Sequence, residues 1–436
     1  MTQKIAPTDH LLIIGASHAG VSMAEQMRKQ GFEGRITMLD RETSMPMERP
    51  PLSKAWLVEH GDGAADVGTG SFLLRQDEWY QENNVEFIRG ADVVSADATA
   101  KTASLADGTL INWDQLVLAT GAVPRPLPMP MLKDGADDAR VHVLRVPDDA
   151  ERLSVAMASA KNIVIIGGGY IGLEVAASAN KRGLNVTVIE MAPRLLARVA
   201  SPNASAYFHA LHEEHGTTIK VAAGVSAIDG SGDQLKLSLE NGNGNGNGNG
   251  DNDSTDDVIS ADLVVAGIGV LPDMALQDQL GLEAGNGFTV DGAYATSVDG
   301  VWAIGDVALC QEGYAKGAMR IESVHHAQMS AEIAAASMMG ADPKDHEVPW
   351  FWSEQYDKKL QSAGFVPADA EVVERAGRRE GAVSFWSFED GKLRAVEAIG
   401  DAQAYMLGKT AITNQDAVTP AQIADPEFDL KSLMKR

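Results

Sequence analysis

The sequence predicts an α/β protein with two Rossmann-like domains and a smaller α+β domain at the C-terminal end. The pattern strand, glycine turn, helix, strand occurs twice, at 10–40 and at 162–190. Alternating apolar residues on both sides of Asp390-Gly391 predict two antiparallel strands near the end of the chain. A length of 436 residues exceeds one ordinary core, so two or three domains are expected.

The first unit starts with the apolar run 10–14, which leads into GASHAG at 15–20 and then into a helix-forming stretch. A β-branched run follows and closes on an acid, Asp40. In a βαβ unit of this kind the glycines allow a tight turn and close packing, and a pyrophosphate rests on the helix N-terminus. Ser17 stands where the motif expects its middle glycine, which weakens the match without ending it.

The second unit repeats this plan with the apolar run 162–166, GGGYIG at 167–172 and the acid Glu190. One glycine motif is a weak signal, but two copies with strand, helix and acid in register predict two bound dinucleotides. Glu190 favours NADH over NADPH, because a carboxylate accepts the ribose 2′-hydroxyl and repels a 2′-phosphate. Arg194, four residues further on, could soften that preference.

Composition and charge exclude several classes of function. The apolar share of 44% and the charged share of 22% are typical of a globular protein in water. No apolar run approaches the roughly 18–20 residues that cross a bilayer, so no membrane partner is expected. A formal charge of −25 argues against nucleic acid. The first residues do not resemble a signal peptide, so a cytoplasmic location is expected.

The cysteine content excludes several further kinds of site. Cys310 is the only cysteine, which excludes an intramolecular disulfide, a redox cysteine pair and a Cys-rich metal site. No metal site is predicted. The tract 242–257, GNGNGNGNGDNDSTDD, has no apolar residues to bury and lies between strand-like stretches, so it is expected to be an overgrown hairpin loop.

Six further segments make the prediction more specific. In chain order they are ERPPLSK at 48–54, LATGAVPR at 118–125, AGIGVLP at 266–272, VWAIGD at 301–306, RIESV at 320–324 and VPWFWSEQY at 348–356. In this order and spacing the chain resembles the FAD-dependent NADH:ferredoxin reductases of bacterial oxygenase systems, which serve Rieske dioxygenases and some cytochromes P450. The resemblance covers nearly the whole chain, apart from the Asn-Gly tract and the last few dozen residues.

The resemblance implies a glutathione-reductase-like architecture. An FAD-binding domain would be split between residues 1–122 and 269–335, an NAD-binding domain would occupy 123–268, and a C-terminal reductase domain would occupy 336–436. It also implies FAD and NADH as cofactors and a [2Fe–2S] ferredoxin as partner. The expected assembly is a monomer or a homodimer.

Lys54 and Glu174 are the residues that the resemblance places at the reacting ring. Pro50-Pro51 suits the first turn of a helix, which predicts Lys54 early on that helix. A cation beside the isoalloxazine would stabilise its negatively charged reduced form, and the carboxylate would keep this buried cation paired.

The resemblance also implies a set of cofactor contacts. Asp306 would bind the ribityl chain, Arg145 would lie near the FAD phosphates, and Trp352 would stack near the flavin. Which of Asp40 and Glu42 holds the adenosine ribose is open. The predicted contacts are Gly15, Ser17, His18, Ala19, Gly20, Asp40, Arg41, Arg49, Lys54, Val93, Ala119, Thr120, Gly121, Arg125, Arg145, Gly167, Gly169, Tyr170, Ile171, Gly172, Glu190, Arg194, Gly269, Gly305, Asp306, Val324 and Trp352.

Two features depart from the family or concern its partner. His325-His326 stands where relatives carry other polar or aromatic residues. Adjacent histidines point apart, so they are not expected to bind one metal ion. A polar role beside the flavin is predicted instead. Basic clusters at 358–359 and at Arg375, Arg378 and Arg379 are candidates for the ferredoxin surface, with a solvated charged face as an equal alternative.

The predicted reaction passes a hydride from NADH to FAD and then single electrons to the ferredoxin, with no protein nucleophile. A disulfide or peroxide reductase of the same fold needs a cysteine between Asp40 and Lys54 or just after, where this chain has Thr43, Ser44, Met45 and Met47. A flavin-bound redox sensor resembling apoptosis-inducing factor and a rubredoxin reductase remain alternatives.

Overall fold

The computed structural model describes residues 4–59, 72–128, 138–241, 258–311, 317–342 and 344–434. These residues form two compact units. The first unit is drawn from Met1–Glu48, Gly68–Val123 and Leu271–Phe351, and the second from Arg49–Val67, Pro124–Val270 and Trp352–Arg436.

The secondary structure of the described residues is mixed. The strands are β1 (His10–Ile14), β2 (Arg35–Asp40), β3 (Val85–Arg89), β4 (Val93–Asp97), β5 (Thr102–Leu105), β6 (Leu110–Asn112), β7 (Gln115–Leu118), β8 (Ala122–Pro124), β9 (Val141–His142), β10 (Asn162–Ile166), β11 (Asn185–Glu190), β12 (Thr218–Val221), β13 (Ala223–Asp229), β14 (Leu235–Asn241), β15 (Val258–Ala261), β16 (Leu263–Ala266), β17 (Val270–Pro272), β18 (Ala284–Gly285), β19 (Gly287–Val290), β20 (Val301–Ala303), β21 (Ala308–Gln311), β22 (Ala318–Met319), β23 (Trp350–Gln355), β24 (Lys358–Gly364), β25 (Glu371–Ala376), β26 (Val383–Glu389) and β27 (Lys392–Ile399).

The helices vary from a single turn to four turns. The α-helices are α1 (His18–Lys29), α2 (Ala55–Glu59), α3 (Asp77–Glu82), α4 (Pro147–Met157), α5 (Tyr170–Lys181), α6 (Pro202–Glu214), α7 (Gln277–Leu280), α8 (Val324–Met338), α9 (Ala402–Asn414) and α10 (Pro420–Ala424). Short 3₁₀ helices span Pro50–Ser53, Gly305–Val307 and Leu430–Met434.

The first unit is built on a parallel sheet with strand order β20-β7-β1-β2-β3. Its central strand β1 reads HLLII, and four of its five side chains are buried. Since successive side chains of a strand point to opposite faces, both faces of the sheet are covered at β1. Helix α8 packs against α1 on this sheet. An antiparallel meander, β4-β5-β6, and a four-stranded sheet, β18-β19-β21-β22, complete the unit.

The second unit contains a parallel sheet with the same plan, in the order β12-β11-β10-β16-β9. Strand β10 takes the central place that β1 takes in the first unit, and helix α5 follows it as α1 follows β1. The two predicted strand–glycine turn–helix–strand units are therefore confirmed.

The two strands that flank the Asn-Gly tract pair with each other, but the second is 258–261; the predicted stretch 261–269 supplies β16 of the parallel sheet instead. Strand β14 runs antiparallel to β15, with Leu235 opposite Ala261 and Ser238 opposite Val258. The tract itself, 242–257, lies outside the described residues.

The C-terminal strands form an antiparallel sheet in the order β23-β24-β27-β26-β25. Asp390 and Gly391 join β26 to β27 with φ angles of 52° and 73°, the left-handed pair that a two-residue hairpin requires. This hairpin was predicted from the sequence. Helix α9 covers β27 and β24.

None of the helices in the described parts of the chain is long and apolar enough to cross a membrane. The division at residues 122, 268 and 335 into FAD, NAD and C-terminal domains stays a prediction.

Candidate dinucleotide sites and a buried lysine–glutamate pair

The first glycine turn needs its first and last glycines. Gly15 has a φ of 104°, and a Cβ there would lie 2.2 Å from the carbonyl oxygen of Ala119. A Cβ on Gly20 would lie 1.9 Å from the carbonyl oxygen of Gly15. The first contact would push the turn away from the end of β7, and the second would push α1 away from the turn. Ser17 is the N-cap residue of α1, followed directly by His18 and Ala19 at the start of the helix.

The acid at the end of β2 is tied to this turn. Asp40 accepts a hydrogen bond from the amide of Ala16 at 3.2 Å and another from the amide of Glu42 at 3.0 Å. Asp40 therefore occupies the position at the glycine turn, whereas Glu42 contributes its backbone amide to Asp40. This geometry favours Asp40 over Glu42 as the ribose ligand that the sequence left open.

Gly305 brings Asp306 close to the start of α1. A Cβ on Gly305, whose φ is 69°, would lie 2.8 Å from the Cβ of Ala19. The Ser330 hydroxyl accepts the Gly305 amide at 3.0 Å, and the Arg320 guanidinium donates to the Asp306 carbonyl at 2.9 Å. These contacts fix the 3₁₀ turn that carries Asp306 within the first unit.

The predicted crossover segments are held by backbone contacts. In the first unit, the Thr120 hydroxyl donates to the Asp273 carbonyl at 2.7 Å, and the Asp273 amide donates to the Gly121 carbonyl at 3.0 Å. The Asp273 carboxylate pairs with Arg41 at 3.0 Å. In the second unit, the Arg125 amide donates to the carbonyl of Gly269 at 2.9 Å.

The second glycine turn repeats the geometry of the first. Gly167 has a φ of 109°, and a Cβ there would lie 2.3 Å from the Gly267 carbonyl oxygen. A Cβ on Gly172 would lie 2.2 Å from the Gly167 oxygen, whereas a Cβ on Gly169 would meet no atom within 4 Å. The open space at the middle position explains why the fold accepts Ser17 at the same place in the first turn.

Glu190 is anchored as Asp40 is. One carboxylate oxygen accepts the amide of Gly168 at 2.6 Å, and the other accepts the amide of Ala192 at 2.7 Å. Arg194 donates one Nη2 hydrogen bond to the Ala197 carbonyl at 3.1 Å. Its Nη1 is buried and has no hydrogen-bond partner among the residues that the structure describes.

Both glycine turns lead into helix N-termini without a side-chain cap. The N-cap residues of α1 and α5 supply no capping hydrogen bond, whereas the side chains of Ser201, Ser323 and Asp401 cap α6, α8 and α9. The first amides of α1 and α5 and the positive ends of their dipoles suit a pyrophosphate. The residues present therefore fit two dinucleotides, with Tyr170 and Ile171 opening the second helix.

Lys54 and Glu174 form a buried ion pair in the second unit. The ammonium lies 2.7 Å from Glu174 Oε2, and the side chains are 18% and 6% exposed. The Lys54 ammonium also donates to the Pro50 carbonyl at 2.9 Å. A pair this shielded interacts strongly, and removing either partner leaves an uncompensated charge.

The prediction that Lys54 lies early on a helix starting at Pro50 was wrong in detail. Pro50–Ser53 is one 3₁₀ turn, and Lys54 ends it with φ −123° and ψ −103°, outside the helical region. Its amide donates to the Pro51 carbonyl at 3.0 Å, which closes the 3₁₀ turn before α2 begins at Ala55.

Other predicted contacts lie at the ends of elements. Arg49 donates to the carbonyl of Arg145 at 3.2 Å, which brings these two predicted cofactor contacts together. Val93 begins β4 and Val324 begins α8. Trp352 lies on β23 and is half-buried. Their contacts with cofactors stay predictions.

The adjacent histidines point to different partners. His325 lies 3.2 Å from the Glu347 carboxylate, while His326 hydrogen-bonds the Tyr294 hydroxyl at 3.1 Å. Burial lowers the pKa of His326 to about 3, so this ring is neutral at physiological pH. Within the described ranges, no group of three or more His, Cys, Asp or Glu side chains is arranged to hold a metal ion.

Several residues that sequence reasoning missed surround Glu174. Ser53 donates to its Oε2 at 2.5 Å, and Ser353 donates to its Oε1 at 2.6 Å. Gln355 and His212 continue this buried cluster. No local pattern reveals it, because its members are more than a hundred residues apart from Glu174 or come from different elements.

Comparison with known proteins identifies the family. The family model described as pyridine nucleotide-disulphide oxidoreductase matches residues 9–331, and a reductase C-terminal model matches residues 350–434. Rhodocoxin reductase of Rhodococcus erythropolis is 39% identical over 98% of this chain and 94% of its own length. The chain belongs to the pyridine nucleotide-disulphide oxidoreductases, in their ferredoxin reductase group.

Solved structures agree with this membership. The ferredoxin reductase for the CYP199A2 system from Rhodopseudomonas palustris matches with a TM-score of 0.87 and 36% identity, over 98% of this chain and 99% of that one. The covalent putidaredoxin reductase–putidaredoxin complex matches with a TM-score of 0.88 and 32% identity, over 98% of both chains. The predicted family and fold class are confirmed.

The family is named for disulphide chemistry, but this member has no second cysteine with which to form a redox disulfide. Its single cysteine, Cys310, is fully buried on β21 and lies 3.4 Å from the Asp291 carbonyl oxygen. A ferredoxin reductase needs no thiol, since its nucleotides carry the electrons.

Proposed function

We propose that this chain is an NADH-dependent, FAD-containing reductase that supplies electrons to a [2Fe–2S] ferredoxin of an oxygenase system. The observation that carries the proposal is the combination of two uncapped glycine-turn helices with the buried Lys54–Glu174 pair in a chain that has one inaccessible cysteine. Membership of the ferredoxin reductases supports the same function.

The first glycine turn, Asp40 and Asp306 would hold FAD, and the second glycine turn and Glu190 would hold NADH. Bound FAD would supply two-electron acceptance from a nicotinamide and one-electron release to an iron–sulfur centre. The protein's part is to fix both nucleotides and to place the Lys54 cation where negative charge develops. None of the proposed steps needs a nucleophilic side chain.

The direct experiment starts with the absorbance spectrum of the purified protein. We expect a flavin spectrum, bleaching on anaerobic addition of NADH, and cytochrome c reduction that depends on added [2Fe–2S] ferredoxin. A preparation that lacks flavin and cannot be reconstituted with FAD contradicts the proposal. Bleaching without transfer to any ferredoxin favours a redox sensor resembling apoptosis-inducing factor. Faster transfer to rubredoxin favours a rubredoxin reductase.

Nucleotide preference gives one prediction. We expect kcat/KM for NADH to exceed that for NADPH, because the anchored Glu190 carboxylate repels a 2′-phosphate. Glu190→Gln keeps an oxygen that accepts a backbone amide but removes the charge, so the ratio of the two values should fall about tenfold. Steady-state kinetics with both nucleotides measure it.

The matched control is Glu240→Gln, an exposed acid on β14 of the same unit. It should leave the ratio unchanged. A wild-type enzyme that prefers NADPH, or a ratio that Glu190→Gln does not alter, contradicts the assignment of Glu190.

Fewer basic residues remain candidates for the ferredoxin surface once their contacts are considered. Arg375 donates to the carbonyls of residues 423, 425, 426 and 428, so it holds the C-terminal segment. Lys358 pairs with Asp357 at 2.7 Å, and Lys359 pairs with Glu354 at 3.2 Å. Arg378 and Arg379, exposed between β25 and β26, are the members of these clusters that remain as candidates.

A charge reversal tests this surface. Arg378→Glu should lower kcat/KM for ferredoxin about tenfold at low ionic strength, because an acidic partner loses a steering charge. The loss should shrink at high salt. Lys392→Glu makes the same change at an exposed position near the opposite end of β26 and should have a much smaller effect. Equal effects of the two variants reject Arg378 as part of the docking surface.

We also propose a cytoplasmic location and a monomeric or homodimeric assembly. Fractionation and light scattering test these two points.

A further inference from the structure

A continuous chain of buried hydrogen bonds leads to Glu174 from the surface of the second unit. Ser353 donates to Glu174 Oε1 at 2.6 Å, and Gln355 contacts Ser353 Oγ at 3.2 Å. His212 Nε2 lies 2.8 Å from Gln355 Oε1, and the Tyr356 hydroxyl lies 3.2 Å from His212 Nδ1. Ser353, Gln355 and His212 are at most 1% exposed.

Hydrogen-bond chemistry fixes the direction of every link. An ionised carboxylate only accepts, so the Ser353 hydroxyl donates to it and can accept only from the Gln355 amino group. The Gln355 oxygen then faces His212, and an amide oxygen only accepts, so His212 carries its proton on Nε2.

The outer end of the chain obeys the same direction. The unprotonated Nδ1 of His212 accepts from the Tyr356 hydroxyl, whose oxygen accepts from Asn180 Nδ2 at 2.8 Å. Burial lowers the pKa of His212 to about 4 and raises the pKa of Tyr356. At neutral pH His212 is therefore neutral and Tyr356 protonated, as this direction requires.

Several contacts hold the outer end of this hydrogen-bond chain, Tyr356, in place. Tyr356 adopts a φ of 56° in the turn between β23 and β24, and the ring of His215 stacks on it at 3.7 Å. Lys181 donates to the Tyr356 carbonyl at 3.1 Å. Ser353 and Gln355 share one face of β23 because they are two residues apart.

Every donor in this hydrogen-bond chain points towards Glu174, and consecutive hydrogen bonds of this kind strengthen one another through polarisation. We propose that Ser353, Gln355, His212 and Tyr356 are positioning residues that keep the Glu174 carboxylate fixed against Lys54. The inference rests on the proposed function, in which Lys54 faces the flavin. Apolar residues at these four positions would avoid the cost of burying polar groups, but they could not donate hydrogen bonds towards Glu174.

Other polar groups lie near the pair. Lys54 and the Ser53 hydroxyl donate to Glu174 Oε2 from the segment around the 3₁₀ turn, and the Tyr170 phenol on α5 lies near Glu397 and Glu174. Burial raises the pKa of Tyr170 well above its ordinary value, so this phenol is neutral. Near His212, both His209 and His215 disfavour its protonation.

The experiment has two readouts on the full-length protein. Nitrogen NMR of ¹⁵N-histidine-labelled protein, with His212 assigned through His212→Asn, should show the Nε2–H tautomer between pH 6 and pH 8. The second readout is stopped-flow reduction by saturating NADH at pH 7. In Ser353→Ala the rate constant should fall about tenfold, with the NADH concentration at half-saturation unchanged, because Glu174 loses a donor that fixes it against Lys54.

Ser353→Thr keeps the hydroxyl and should restore the wild-type rate constant. Ser387→Ala removes another buried hydroxyl from the same sheet, one without a hydrogen-bond partner in the described residues, and should keep the wild-type rate constant as well. An Nδ1–H tautomer, or a Ser353→Ala rate constant that matches the wild type, overturns the proposal. A wild-type protein that NADH does not reduce refutes the proposed function instead, and the tautomer still decides the direction of the chain.

Discussion

Replacing Lys54 by methionine should slow reduction of the bound flavin by NADH about 100-fold. One preorganised charge or donor at a site of developing negative charge is worth roughly this factor. Methionine keeps most of the side-chain volume, and Ser53 and Ser353 still donate to Glu174. The carboxylate loses its cation, so Tm is measured beside the rate to separate lost stability from lost catalysis. Stopped-flow absorbance under anaerobic conditions measures the rate constant.

Lys359→Met is the matched control. This lysine is also ion-paired, with Glu354, but its side chain is 53% exposed, so its loss should change the rate less than twofold. FAD content must be measured in both variants, because a lost cofactor would imitate a lost charge. An unchanged rate in Lys54→Met, with full FAD content, would place the ion pair away from the flavin.

Gly167→Ala should destabilise the second dinucleotide unit. The residue would carry a φ of 109°, and its Cβ would lie 2.3 Å from the Gly267 carbonyl oxygen. Left-handed strain and overpacking against rigid backbone each cost about 1–3 kcal/mol. We expect a fall of about 10 °C in Tm, measured by circular dichroism.

Gly169→Ala is the comparison that separates folding from binding. Gly169 has extended backbone, and its added Cβ would meet no atom within 4 Å, so Tm should change by less than about 2 °C. The same methyl group would stand where a pyrophosphate approaches the helix, so KM for NADH should rise about tenfold. Equal losses of Tm in the two variants would show that the contact at Gly167 is not what the turn requires.

The local parts of both dinucleotide sites followed from the sequence. A glycine turn, its helix and the acid at the end of the next strand lie within about thirty residues, and their spacing is set by the βαβ unit itself. That is why the glycine turns 15–20 and 167–172, and the acids Asp40 and Glu190 that end the following strands, have the predicted βαβ geometry. The Asp390-Gly391 hairpin was predicted for the same reason, since its turn chemistry is local.

Contacts between distant segments were decided by the tertiary structure. The geometry that favours Asp40 over Glu42 depends on an amide of the glycine turn, and the position of Arg375 depends on carbonyls about fifty residues away. The support of Glu174 by Ser353 and His212 depends on β23 packing beside α5 and α6, which no periodicity reveals. Sequence patterns report neighbours along one element, whereas buried polar partners are chosen by which elements meet.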